Sequence, residues 1–229
     1  NNKTHITSRV MWVLIFKMHF KDRHEAGVML AEKLKKYKDN KDVIVLAIPR
    51  GGVGVGYEIA KLLDVKLDII VTKKIGLPND EEFAIGSVGP NKEAMLNKDT
   101  IKIYNVSKDY IREKTREISK EIGRRYKEYK GKYLLQNLKN KIVILTDDGI
   151  ATGFTTRAAI SYIKSQAPKK IILAVPVAPS DFAGKIKKEV DEFVCLHSTN
   201  LFSSISQFYE HFPQLSDEEV KNYLKWKLN

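Results

Sequence analysis

Apolar residues fall along this chain in short continuous runs, separated by longer amphipathic stretches. Residues 43–48, 67–72, 142–146 and 171–177 are rich in β-branched side chains and show no polar alternation. Such runs are expected of parallel strands whose sheet is covered by helices on both faces. A weaker run, 192–196, reads as the last strand. Between the runs the period becomes helical. Ala26, Leu30, Leu34 and Tyr37 share one face of 24–37, while 53–63 and 156–165 follow their strands directly. Ser216 and Glu219 have the spacing of a capping box ahead of Val220, Tyr223 and Leu224. The alternation predicts an α/β fold with a mainly parallel sheet flanked by helices. No internal repeat or low-complexity linker divides it, so a single domain over 18–229 is expected, preceded by an extension at 1–17.

Residues 107–132 break the pattern. Ile111, Ile118, Ile122 and Tyr129 form a narrow helical stripe, and the rest holds ten basic and five acidic residues. Pairs such as Glu121 and Arg125 support a helix. Because the acids are interspersed and no RNA-binding signature accompanies them, this long insertion reads as a solvated helix rather than a nucleic-acid contact.

Composition narrows the chemistry. The 229 residues are 43% hydrophobic and 30% charged, enough for a core and too apolar for a largely disordered chain. The lone cysteine, Cys195, precludes an intramolecular disulfide or a multi-cysteine metal site and suits a reducing, cytoplasmic compartment. The apolar run 10–16 is too short to span a bilayer, and no small-residue cleavage site follows it. Neither a membrane segment nor a signal peptide is expected. A net charge of +12 favours anionic partners without choosing among them.

The choice comes from Thr146-Asp147-Asp148-Gly149-Ile150-Ala151-Thr152-Gly153-Phe154-Thr155-Thr156, which starts at a strand end and runs into a helix. Gly149, Thr152, Gly153, Thr155 and Thr156 can wrap a phosphate with N–H groups and hydroxyls, aided by the helix N-terminus. Two adjacent acids would repel that phosphate, so they suit hydroxyl groups or a hydrated cation beside it. A sugar phosphate fits both halves. No Gly-Lys-Ser/Thr occurs, which removes the P-loop, and Tyr57 occupies the last glycine position of a dinucleotide fingerprint over Gly52-Val53-Gly54-Val55-Gly56. A second glycine-rich turn, Pro49-Arg50-Gly51-Gly52, follows the run 43–48 and adds a cation.

Two acids, a small stretch and Thr152-Gly153-Phe154-Thr155 after a hydrophobic strand resemble the signature of the type I phosphoribosyltransferases. Thr146 and Gly149 are mild departures, since aliphatic residues are commoner there. The resemblance implies that 149–155 binds the 5′-phosphate of phosphoribosyl pyrophosphate (PRPP), including Ile150 and Ala151. It further implies that Asp147 and Asp148 hold the ribose 2′- and 3′-hydroxyls, and that Arg50, Gly51 and Gly52 bind the pyrophosphate. It places a phosphate-reaching base at Lys73, with Lys74 beside it. It also implies a mobile catalytic lid at Gly76-Leu77-Pro78-Asn79-Asp80-Glu81-Glu82, and a hood over the acceptor. Ala151 stands where hypoxanthine-guanine enzymes carry an acid, as in adenine enzymes, so Glu82, ahead of Glu81, is the expected base contact or proton carrier. Phe202, Phe208 and Tyr209 lie in the segment expected to form the hood, about 197–229, with Phe202 and Tyr209 as acceptor contacts. His197, His211 and Cys195 carry no expected chemistry.

The implied activity is Mg²⁺-dependent transfer of ribose 5-phosphate from PRPP to a nitrogen acceptor, expected to be a nucleobase, with release of pyrophosphate. Mg²⁺ would be held mainly through PRPP and water, without a protein cage. A homo-oligomer is implied; a nucleic-acid or membrane partner is not. Two other readings fit the same pocket: a PRPP-sensing nucleic-acid-binding regulator without catalysis, and a sugar-phosphate-binding or hydrolytic protein.

Overall fold

The structure, a computed structural model, describes residues 19–132 and 136–226, apart from the side chain of Glu82. The extension 1–17, with its apolar run 10–16, lies outside the described residues. Five parallel strands form the central sheet: β1 (Val43–Ala47), β2 (Lys66–Ile69), β6 (Ile142–Thr146), β7 (Lys170–Pro179) and β8 (Glu192–Thr199). Their order across the sheet is β2-β1-β6-β7-β8. Every residue of β1 and β6 is buried, as continuous apolar runs require.

Helices α1 (Arg23–Lys33), α2 (Gly51–Leu63), α5 (Phe154–Ser165) and α6 (Ser180–Ile186) flank this sheet. Leu30, Leu34 and Tyr37 from the first helical segment pack with Val45, Ile59, Leu63 and Ile144 on one side. Leu145, Ile160, Ile163, Leu173 and Phe182 fill the other. Each fully buried Leu or Ile contributes about 1.5–3 kcal/mol. The helix expected over 24–37 ends earlier, at Lys33, and continues as a 3₁₀ turn at Lys35–Tyr37.

The second sheet was not foreseen. β3 (Lys73–Leu77), β4 (Asp80–Val88) and β5 (Ala94–Leu96) pair antiparallel in that order. The segment expected as a mobile lid is thus a hairpin: Leu77 pairs with Asp80 across a tight Pro78-Asn79 turn. Its turn formers and acids mark the hairpin end, and residues 84–88 behind it are buried, Ile85 and Val88 completely. The expected strand 67–72 stops at Ile69, because Ile70–Thr72 carry the chain from one sheet to the other.

A short helix α3 (Lys98–Ile103) leads to α4 (Lys108–Lys130), capped by Ser107 and ended by Gly131. Its stripe buries Ile118, Ile122 and Tyr129, and also Tyr126, which the sequence pattern missed. Tyr110 donates to the carbonyl of Gly76 in the hairpin at 3.0 Å, and Lys130 meets the buried Asp68 at 2.8 Å. The last helix, α7 (Asp217–Leu224), carries the expected capping box.

Candidate active site

β1 feeds α2 and turns outward to β2, whereas β6 feeds α5 and turns the other way to β7. The crevice between the carboxyl ends of β1 and β6 is therefore the topological switch point, the usual ligand position in open α/β sheets. Ala47 and Thr146 are register partners there, and the N–H of Ile48 donates to the carbonyl of Thr146 at 3.0 Å. Both glycine-rich turns open onto this one crevice.

The helices behind the turns share a feature. α1, α3, α4 and α7 each have a side chain accepting from their first turn: Asp22, Asn97, Ser107 and Ser216. α6 starts at Pro179 without one, and so do α2 and α5, at Arg50 and Gly153. Their first N–H groups have no partner within the helix and are suited to anions.

Asp147 and Asp148 stand between these ends. The N–H of Asp148 donates to Oδ1 of Asp147 at 2.8 Å. Burial, and then the charge of Asp148, raises the pKa of Asp147 well above the carboxylate range. Burial raises Asp148 too, against the opposing charge of Arg23. Arg23 Nη2 lies 2.8 Å from Asp148 Oδ2 and its Nε donates to the same oxygen at 2.9 Å. The pyrophosphate-turn candidate packs directly on these acids, since a Cβ on Gly51 would fall 1.8 Å from Asp148 Oδ2. That contact explains a glycine there better than helix–sheet packing alone. The peptide between Pro49 and Arg50 is cis.

In the phosphate-loop candidate Ile150 is buried, and its N–H donates to the carbonyl of Val177 at 2.9 Å. Ala151 and Thr152 are exposed, and Gly153 adopts φ +77°. Thr72 and Ser87 tie the small sheet to α5, donating to the carbonyls of Thr155 and Phe154 at 3.1 and 3.3 Å. Ala151 and Thr152 line a cavity of about 480 Å³ together with Pro179, Asp181, Asn200 and Phe202.

Other expected residues land as follows. Phe202 lies on this cavity, but Tyr209 does not. Tyr209 is buried, tilted against Phe20, and its hydroxyl donates to the carbonyl of Asp148 at 2.7 Å. Burial pushes its pKa up, so it remains a donor. Its place is behind the acids, where it fixes their backbone. Phe208 is buried against Phe202 and His197. Arg50 faces Asp217 at 3.9 Å, and Tyr129 donates to the same carboxylate at 2.7 Å. Lys73 is exposed at the start of β3. Glu81 meets Lys114 of α4 at 3.3 Å, and the side chain of Glu82 lies outside the described residues. Burial raises the Cys195 pKa to about 11, in keeping with an inert thiol.

Arg23, Asp181 and Asn200 were missed by sequence reasoning. None sits in a glycine-rich or acidic motif, and only folding brings Arg23 to the two acids and Asp181 and Asn200 to the cavity beside Ala151. Among the described residues no group of three or more His, Cys, Asp or Glu is placed to hold a metal ion. None of the described helices is long and apolar enough to cross a membrane.

Residues 23–210 match the family model for the phosphoribosyl transferase domain. The chain is 36% identical over 205 residues to Rv0571c of Mycobacterium tuberculosis H37Rv, provisionally named a phosphoribosyl transferase, with 90% of this chain and 46% of that protein aligned. MT0597 of strain CDC 1551 matches to the same extent. The chain spans about half the length of these curated relatives. Among solved structures, TT1426 from Thermus thermophilus aligns with a TM-score of 0.74 at 33% identity, covering 90% of this chain and 98% of that one. AQ2163 from Aquifex aeolicus shares the fold, with a TM-score of 0.50 at 15% identity over 88% and 84% of the two chains.

Proposed function

Since the chain belongs to the phosphoribosyl transferase domain family, we propose that it moves ribose 5-phosphate from PRPP to a nitrogen acceptor, a nucleobase, releasing pyrophosphate. The observation that carries this reading is that two helices without side-chain caps, α2 and α5, start on neighbouring strand ends with two acids between them. Such a site suits a ligand with phosphate at both ends and hydroxyls in the middle.

In this reading N–H groups of the 149–155 loop other than that of Ile150, which is held by the Val177 carbonyl, take the 5′-phosphate, and Asp147 and Asp148 accept hydrogen bonds from the ribose hydroxyls. Arg50, Gly51 and Gly52 receive the pyrophosphate, with Lys73 reaching it from β3. Mg²⁺ suits the site because two crowded carboxylates, whose pKa values burial has raised, gain from a nearby cation. When bound, it supplies charge neutralisation to the leaving pyrophosphate. The protein's own contribution is to hold the two ends apart and aligned, and to bring the acceptor to the ribose.

The cavity beside Ala151 suits the acceptor, with Phe202 available for stacking and Asp181 and Asn200 for hydrogen bonds. Ala151 leaves a carboxylate elsewhere to meet an amine or ring N–H, which favours a 6-aminopurine over guanine or hypoxanthine. Glu82 is the proposed proton carrier, so Glu82→Gln slows transfer by roughly 10²-fold while PRPP still binds. The enzyme acts in the cytoplasm as a homo-oligomer, with its catalytic unit over 18–229.

The test is thermal melting with PRPP and Mg²⁺, followed by pyrophosphate release with adenine, guanine, hypoxanthine, uracil and orotate. PRPP at a hundred times its Kd should add about 2.7 kcal/mol of stability. No melting shift at millimolar PRPP overturns the reading.

A further inference from the structure

Arg23 lies 125 residues from Asp148 in sequence and outside both phosphate turns. Its guanidinium nevertheless makes two contacts to Asp148 Oδ2, at 2.9 and 2.8 Å, between side chains only 11% and 12% exposed. Nη1 donates to the carbonyl of Pro213 at 2.7 Å, and the guanidinium carbon sits 3.9 Å above the ring of Phe212. Phe212 stacks on Tyr209, 4.7 Å between ring centres, and Tyr209 returns to Asp148 through its carbonyl. Asp148 is thus gripped at its carboxylate by Arg23 and at its backbone by Tyr209, with Phe212 joining the two.

We propose that Arg23 is a positioning residue, which orients the Asp148 carboxylate so that the acid pair recognises the ribose hydroxyls, and that Phe212 holds it in place. The inference rests on the PRPP reading above. Both contacts engage Oδ2, so Arg23 itself does not occupy Oδ1, the atom offered to a sugar hydroxyl. Arg23 also offsets one of two crowded buried charges. Without it, Asp148 would take up a proton or turn away. Either change costs the site its hydroxyl acceptor while leaving both phosphate-binding turns in place.

A readout specific to this role is discrimination between ribose 5-phosphate and 2-deoxyribose 5-phosphate, measured by calorimetry. The wild type should prefer the ribose form by roughly tenfold or more, the value of a hydrogen bond to a charged group. Arg23→Met should abolish the preference while retaining affinity for the shared phosphate, and Arg23→Lys should restore part of it. Asp148→Asn should show the same loss, with no further loss in the double variant, since the two residues act as one unit. Phe212→Leu, which keeps both charges, should weaken the preference and serves where Arg23→Met does not fold. Preference unchanged in Arg23→Met, or in both Arg23→Lys and Phe212→Leu where Arg23→Met does not fold, overturns the proposal. A wild type that binds both sugars equally overturns it as well. A wild type that ignores PRPP overturns instead the reading on which it rests.

Discussion

The ring of Phe182 occupies the space that a side chain on Gly153 would need, with Cε2 only 2.1 Å from the ideal Cβ position. Gly153 also holds φ +77°, a left-handed conformation that costs a residue with a Cβ roughly 1–2 kcal/mol. Gly153→Ala should therefore destabilise the protein by that amount plus about 1–3 kcal/mol of overpacking. Urea unfolding measures it, and Phe182→Leu in the same chain should recover part of the packing loss. An unchanged midpoint in Gly153→Ala would contradict this packing.

The two acids should respond unequally to neutralisation. Asp147 has a folded pKa raised by burial above its unfolded value, so its charge opposes folding at neutral pH. Asp147→Asn should raise the melting temperature by roughly 2–4 °C, the effect of about 1 kcal/mol in a chain of this size. Asp148→Asn relieves a burial cost of the same sign but leaves the buried Arg23 without its counter-charge, so it should gain less than Asp147→Asn or lose stability. Scanning calorimetry of both variants separates these outcomes.

On α4, Lys130 meets Asp68, whose side chain is 4% exposed, at 2.8 Å. Lys130→Met should strand that carboxylate and destabilise by about 3–5 kcal/mol. Adding Asp68→Asn should recover much of the loss. Equal stability of Lys130→Met and wild type in chemical unfolding would place this ion pair among surface pairs of little worth.

Acid should loosen the contact between the first helical segment and β8. Burial opposes ionisation of Glu192, but hydrogen bonds from Lys170 and Tyr37 and the contact with Lys36 outweigh it and hold its pKa at about 2. Its folded pKa is below the unfolded value of 4.5, so its contribution is present above pH 4.5 and lost as pH falls towards about 2. Melting temperatures across that range should decline less steeply in Glu192→Gln than in wild type.

The parallel strands, the helices between them and both glycine-rich turns were legible because they rest on local causes. Continuous β-branched runs, helical spacing and capping residues act over a few neighbours. So do the small residues that let backbone N–H groups approach an anion. The antiparallel hairpin was hidden because Pro78-Asn79 and the acids after it suit a free loop as well as a turn, and only pairing with β5 and packing beneath α4 choose between them. Tyr209 read as an acceptor contact, yet its neighbours Phe20, Phe212 and Asp148 come from distant parts of the chain and bury it behind the acids. The sequence by itself determined which residues are candidates for holding phosphate and sugar. Only the tertiary structure decided that they form one site, because the reversal of winding between β1 and β6, a property of strand order, brings two helix starts and Arg23 to the same crevice.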